Sequence, residues 1–536
     1  MEMYMFLSGD SLKIVEQKTF DRKDVSVCGV IPRILLFFAV LHCSQIVRRK
    51  NYVKNFFSVI GGNIGEFCRI ALNIKRSMDN PLGHLRHHVS RLKNGGLVLL
   101  LDTGARITPE AEAMLQALYS RDPQSVYEHL KAIAEKGPGK FMASYYVGYG
   151  HKSIGDCGTV TLFIEGISML AAKAIQDWML YSGQEVSTRY VDFSIQPFED
   201  PVGTVTTKEM LEALRTYYLH ALPLLEIDLK RRFPIAEGEK EAMYVKAIKA
   251  RAFDTLRGFL PAGARTSIAW HTNLRQAADK IALLRHHPLR EVRQSADAIE
   301  SVLIEAYPSS FSHERFEATE KYNEQWMSGQ YYLEDTACPE FLLARDDIAY
   351  GEFARRPELQ KIFADRPPKT ELPKMLAEFG TMQFRFLLDF GSFRDIQRQR
   401  AVAQRMPLLT AFHGFEEWYL DELTPELREE AKNVLSKNSE AIAVLEKADT
   451  PKEVIQYFLP MGYRTANRLT GDLPAIVYLV ELRATRFVHP TLQVRAHQMA
   501  NVLKERLGKY GLNLHIDSEV GRFDIRRGAQ DIIKKN

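Results

Sequence analysis

The chain is 536 residues long, more than one ordinary core holds, and 46% of it is hydrophobic, so at least two globular domains are expected and a disordered chain is excluded. Its formal net charge is only +4, so affinity for polyanions would have to come from local arginine clusters, and a nucleic-acid partner is not demanded. Five scattered cysteines (Cys28, Cys43, Cys68, Cys157, Cys338), without a C-x-x-C pair, argue against a disulfide framework or a thiolate zinc site and point to a reducing cytoplasm.

Residues 1–95 have no clear period and read as a leader of unassigned role. Their most apolar stretch, VIPRILLFFAVLHCSQIV, contains Pro32 and Arg33. Its uninterrupted part is shorter than the roughly 20 residues that span a bilayer, so no membrane anchor is expected, and it starts too far in for a signal peptide. HLRHH spaces His84, His87 and His88 for one helical face, as a metal site would need. With no acidic or thiolate partner nearby it reads instead as a solvated basic patch, and no metal is expected.

Thr108, Pro109 and Glu110 give an N-cap, a first-turn proline and an acidic first turn, which opens a helix through EAEAMLQALYS. A second helix, QSVYEHLKAIAEK, stops at Gly137-Pro138-Gly139. FMASYYVGYGHKSIGDCGTVTLFI mixes aromatics, glycines and β-branched residues and predicts a loop and a strand. EGISMLAAKAIQDWML returns to a helical period and leads into YSGQEVSTRYVDFS.

Further on, the chain repeats itself. FLPAGARTS at 259–267 recurs as FLPMGYRTA at 458–466, each followed by an apolar helix ending in Leu-Arg (Arg285, Arg483), then His-Pro (His287, His489), then Val-Arg (Arg293, Arg495). The order and spacing predict a tandem duplication with a period of about 200 residues, long enough for each copy to be a domain. The expected division is a leader 1–95, a first domain 96–315, a connection 316–370 that includes the proline-rich ADRPPKTELPK, and a second domain 371–536.

In YSGQEVSTRYVDFS, Glu185, Ser187 and Arg189 fall at every second position, which in an extended segment puts them on one face. A carboxylate, a hydroxyl and a guanidinium together suit a nucleotide base or sugar; a surface loop with an ion pair from Arg189 to Asp192 or Glu185 is the plainer alternative. In the second copy, SFRDIQRQRAVAQRMP carries Arg394, Arg398, Arg400 and Arg405. Arg394 and Arg398 share a helical face, and Arg400 joins them only if the helix unwinds. This cluster suits phosphates or a pyrophosphate; a solvated basic helix and a nucleic-acid surface are the alternatives. The sequence has no P-loop, no G-x-G-x-x-G after a strand, no G-x-S-x-G elbow and no H-E-x-x-H, so a bound cofactor is a more natural catalyst than a protein nucleophile.

GHKSIGDCGTVTLFIEGIS, then QDWMLYSGQEVSTRYVD, then FLPAGARTSIAWHTNLR together resemble the flavin-dependent thymidylate synthase family, over about 100–310 and more weakly over 370–510. The resemblance implies α+β architecture: two tandem, mainly helical domains, each with a small β-sheet, forming a pseudo-dimer, with two chains associating as a dimer of tandem chains. It also implies FAD as cofactor, NADPH as reductant, and dUMP and methylenetetrahydrofolate as substrates, with a site built between subunits. By position, Glu185, Ser187, Arg189, Arg257 and Arg285 would contact the uridylate, and Ser153, Asp156, Asn273 and Arg275 the flavin. The family's R-H-R element is Asp177-Trp178-Met179 in the first copy and Arg398-Gln399-Arg400 in the second, which in turn lacks N-E-x-S-x-R-Y. One composite site is therefore expected, with Glu185, Ser187, Arg189 and Arg257 from the first copy and Arg398, Arg400 and Arg483 from the second. Arg189 and Arg398 would act on the uracil ring, Arg398 and Arg400 would also face the cofactor, and the mirror-related site would be dead. A non-catalytic nucleotide- or flavin-binding homologue is the alternative, and a helical nucleic-acid binder a third reading.

Overall fold

The computed structural model describes residues 3–8, 11–16, 87–101, 108–120, 126–333 and 335–530. They fall into two compact units, Met1–Leu85 and Arg86–Asn536. In the first, β1 (Met3–Ser8) and β2 (Ser11–Glu16) pair antiparallel. The apolar stretch 30–47 and His84 lie outside the described residues, and among the described residues no helix is long and apolar enough to cross a membrane.

The second unit is built on two antiparallel sheets. The first holds β3 (His87–Arg91), β4 (Leu97–Leu101), β5 (Thr159–Ser168), β6 (Ser182–Glu185) and β7 (Arg265–Asn273), in the order β3-β4-β5-β7-β6. The second holds β8 (Phe341–Asp346), β9 (Thr381–Asp389), β10 (Ala403–Arg405) and β11 (Arg464–Asp472), in the order β8-β9-β11-β10. Read from β4 and from β8, the two orders are the same.

The helices that bear on the site are α1 (Pro109–Tyr119), α2 (Val126–Lys136), α3 (Met169–Gln176), α4 (Val205–Arg232), α5 (Glu241–Leu256), α6 (Leu274–Leu284) and α7 (Arg290–Ala306). They continue with α8 (Glu317–Gln330), α9 (Phe390–Ile396), α10 (Pro425–Lys447), α11 (Leu473–Arg483) and α12 (Pro490–Leu507). Thr108 caps α1 as expected, its hydroxyl accepting from the Ala111 N–H. In both sheets the two central strands run straight into helices through capping side chains. Ser168 and Asp389 cap α3 and α9, and Asn273 and Asp472 cap α6 and α11, each accepting a backbone N–H three residues on.

Three local expectations change. The segment read as a loop before β5 is helical: a short turn Gly139–Phe141 runs into a π-helical stretch Met142–Gly148, and Lys152–Gly155 makes another turn. Its aromatics pack on one another along that face, which sequence period alone does not reveal over so few residues. His87 and His88 lie on β3, so the helical face imagined for them does not exist; His88 Nδ1 sits 3.1 Å from Glu305. The connection 316–370 carries structure of its own, α8 and β8, and β8 pairs with β9.

The repeated motifs meet each other. Ala262 N–H donates to Leu459 O (2.8 Å) and Met461 N–H to Leu260 O (2.8 Å), with Pro261 and Pro460 facing in an antiparallel bridge. The approach requires glycine: a Cβ on Gly263 would lie 2.6 Å from Tyr457 O. Nearby, Gln397 of the α9 end donates to Lys173 O on α3 (3.1 Å), and Tyr217 of α4 donates to Leu427 O on α10 (3.1 Å). The carboxyl-terminal turn Ile525–Gln530 packs against α5.

Candidate functional site between the two sheets

The short helix α9 carries Asp395 into the seam between the sheets. Arg257, at the end of α5, lies 3.5 Å from it and also donates to Ser392 Oγ (3.2 Å). Arg398 stands 3.9 Å away, and Arg394 and Arg483 act on the same carboxylate. Burial would raise the Asp395 carboxyl, but these four guanidiniums outweigh it and hold the pKa down to about 2.

Glu185, at the end of β6, pairs with Arg394 from the other sheet and accepts from Gln176 Nε2 (3.1 Å). Arg189 instead turns to Asp254 of α5 (3.2 Å), whose other oxygen pairs with Arg527. Asp254 is 0% exposed; burial opposes its charge, yet Arg527, Arg189 and Arg257 keep its carboxyl well below the usual range. The expected common face of Glu185, Ser187 and Arg189 is therefore not formed. The strand ends at Glu185 and a 3-10 turn takes over at Thr188–Tyr190, which breaks the alternation.

Helix α9 ends at Ile396, so the chain unwinds where Arg400 needed it to. Arg398 is half exposed and Arg400 exposed, and both act electrostatically on Tyr181, whose hydroxyl is pushed up by burial and by Glu185. The residue of the YSGQEVSTR stretch that meets this pair is thus Tyr181. Arg285 is not brought into this cluster: it is held by Glu300 and Glu320 at 3.0 Å each.

The cluster sets six guanidiniums (Arg189, Arg257, Arg394, Arg398, Arg483, Arg527) against four carboxylates (Glu185, Asp254, Asp389, Asp395). The Nε atoms of Arg257 and Arg483 are buried and have no hydrogen-bond partner among the described residues. Buried donors of this kind are normally satisfied.

The four residues expected at a flavin gather elsewhere in the first half. Arg275 pairs with Asp156 (2.7 Å), Asn273 caps the helix that bears Arg275, and Ser153 lies exposed on the turn preceding Asp156. Beside them Phe141, Tyr145, Tyr149 and His151 form a ladder of rings 4.8–6.1 Å apart, and Tyr149 is 74% exposed. Arg275 and Lys152 next to this ladder both pair with Asp279 as well, at 3.5 and 3.2 Å. Sequence reasoning named Arg394 with the arginine cluster but missed Asp395, Asp254 and Arg527 as members of it. Asp395 could have been suspected from its place between two arginines, but nothing local ties Arg527 to Asp254, 273 positions away.

Residues 105–309 match the family model described as thymidylate synthase complementing protein. The resemblance read from the motifs to the flavin-dependent thymidylate synthases is thus matched over that part of the chain. Among similar proteins are UPF0159 proteins of Chlamydia pneumoniae (25% identical over 396 residues; 63% of this chain, 72% of the relative) and of Chlamydia muridarum (25% over 408; 66% and 76%). A UPF0159 protein of Thermoplasma acidophilum is 24% identical over 461 residues, covering 73% of this chain and 92% of the relative.

Proposed function

We propose that the chain is an FAD-dependent thymidylate synthase or a near relative acting on another pyrimidine nucleotide, working at one composite site. The observation that carries this reading is the arginine cluster at Asp395, supplied by both halves, in which Arg257 and Arg483 keep unmet donors. The identical strand orders, the paired FLPxG motifs and the equivalent capped helices support a tandem duplication whose halves pair as two subunits would, with 96–315 and 371–536 as the domains. Association of two chains and a cytoplasmic setting go with this reading.

Arg257, Arg483 and Arg398 would bind and orient the dUMP phosphate and uracil oxygens, and Arg189 would join them if Asp254 shares it with the ligand. As C5 attacks the methylene carbon of methylenetetrahydrofolate, negative charge develops on the uracil carbonyl oxygens. A preorganised guanidinium there stabilises the transition state by about 3 kcal/mol. Ser153, Asn273 and Arg275, with the tyrosine ladder, would hold FAD, and Arg398 and Arg400 would reach it from the other half. When bound, the flavin relays the reducing equivalents of NADPH that complete the methyl group. Tyr181 and the buried wall behind Glu185 would exclude water from the ring.

The second reading, a nucleotide- or flavin-binding homologue without turnover, is favoured by Gln399. It stands where the resemblance has histidine and is 9% exposed. Purified full chain should show a flavin absorbance that shifts with dUMP, and should oxidise NADPH when dUMP and methylenetetrahydrofolate are both present. Flavin and dUMP binding without turnover would favour the second reading, and a chain that binds neither after reconstitution would sink both.

A further inference from the structure

On the opposite side of the same seam lies a cavity of about 390 Å³ lined by α3, α6, α8 and the β10 edge, including Lys173, Asp177, Trp178, Lys280, Tyr331 and Met406. Its position mirrors the arginine cluster. Ser168 and Asp389 are equivalent caps, so counting along α3 and α9 sets Lys173 where Arg394 stands and Asp177 where Arg398 stands. The registers Ser182↔His271 on β6 and Ala403↔Thr470 on β10 set Met406 where Glu185 stands.

The cation has thus been kept and its counterion lost. Arg394 has Glu185, whereas Lys173 is offered a thioether. Lys173 is 6% exposed and, among the described residues, its ammonium has no hydrogen bond or ion pair; it lies 5.5 Å from the Tyr331 ring and 5.4 Å from the Phe393 ring. Lys280, 4% exposed, donates to the Asp177 backbone oxygen (2.8 Å). The Asp177 carboxylate acts on both ammonium groups and accepts from the Tyr331 hydroxyl (3.0 Å). Two buried cations against one carboxylate, with Arg405 also at the lining, leave positive charge in excess in a space walled by rings. Burial pushes both amines down, Lys280 to about 8, which is the cost an incoming anion would relieve. The volume is that of a small-molecule site.

We propose that this cavity is a second ligand site, distinct from the arginine cluster, that binds a small planar aromatic monoanion with its carboxylate on Lys173 and its ring against Trp178 and Tyr331. The test is calorimetric titration of the full chain with 2-naphthoate. Saturable binding at one site is expected, at least tenfold weaker with Lys173→Met and at least tenfold weaker for the neutral 2-naphthalenemethanol, but retained in Arg483→Ala. Met406→Glu, which restores the carboxylate found at the mirror position, should abolish binding and raise the thermal midpoint of the unliganded chain. The proposal is overturned if 2-naphthoate does not bind, if the alcohol binds equally well, if Lys173→Met binds as the parent does, or if Arg483→Ala rather than Lys173→Met removes binding.

Discussion

The two sides of the seam between the sheets use equivalent elements to opposite ends. On one side Arg394, Asp395 and Arg398 follow the Asp389 cap, and Glu185 comes across from β6. On the other, Lys173, Ala174 and Asp177 follow the Ser168 cap, and Met406 comes across from β10. Counted from the caps and the strand registers, the positions correspond, and the side chains at them differ. A cluster in which carboxylates and guanidiniums alternate tolerates six arginines; an equivalent position without its carboxylate leaves one lysine charge unanswered. Charge partners, more than fold, decide what each side can bind.

The largest effect is expected at Asp254, where Arg189 and Arg527 converge. Asp254→Asn should cost about 3–5 kcal/mol of stability, as loss of one partner from a buried ion cluster does, read by urea denaturation; a cost under 1 kcal/mol would mean that Arg189 and Arg527 find water instead. Next, Arg398→Ala and Arg483→Ala should each weaken dUMP binding at least tenfold, while Arg285→Ala leaves it unchanged because Glu300 and Glu320 already hold that side chain. Equal losses in all three would erase the distinction between the two sides.

The pH response should follow the acid side of the comparison. Asp395 has a folded pKa of about 2, below the unfolded aspartate value of about 4, so its contribution is present above pH 4 and lost as the pH falls from 4 towards 2. Asp395→Ala should flatten the stability profile in that window, as read by urea denaturation at stepped pH.

The smallest effect compares two equivalent caps. Asn273→Ala and Asp472→Ala should each cost about 1 kcal/mol, as loss of an N-cap does. Only Asn273→Ala should also lower flavin content, if Asn273 has the cofactor role that its neighbours Asp156 and Arg275 suggest. Loss of flavin in both variants would make the effect one of helix stability.

Much of the scaffold was legible from the chain. Thr108-Pro109-Glu110 opened a helix, Gly137-Pro138-Gly139 closed one, and the FLPAG and FLPMG motifs announced two equivalent segments, because caps, breakers and close backbone approaches are written in a few adjacent residues. Arg257, Arg398 and Arg483, read from the two repeats, lie around one carboxylate, Asp395, which the sequence did not single out. The shared face read for Glu185, Ser187 and Arg189 depended on an alternation that runs out in a 3-10 turn after β6. Arg285 and Arg483 end matching helices and read alike, yet one is enclosed by carboxylates and the other is not.

The sequence by itself determined the elements, their order and the motifs that resemble a known family, since these depend on neighbours along the chain. Only the tertiary structure decided which charges meet. Arg394 finds Glu185, Arg527 finds Asp254, and Lys173 is left facing a cavity because partners of these groups lie more than 200 residues away or, for Lys173, because the partner's place is taken by Met406. Electrostatic energy falls with distance in space and not along the chain, so the same arginine spelling can be a ligand site on one side of the seam and an internal ion pair elsewhere.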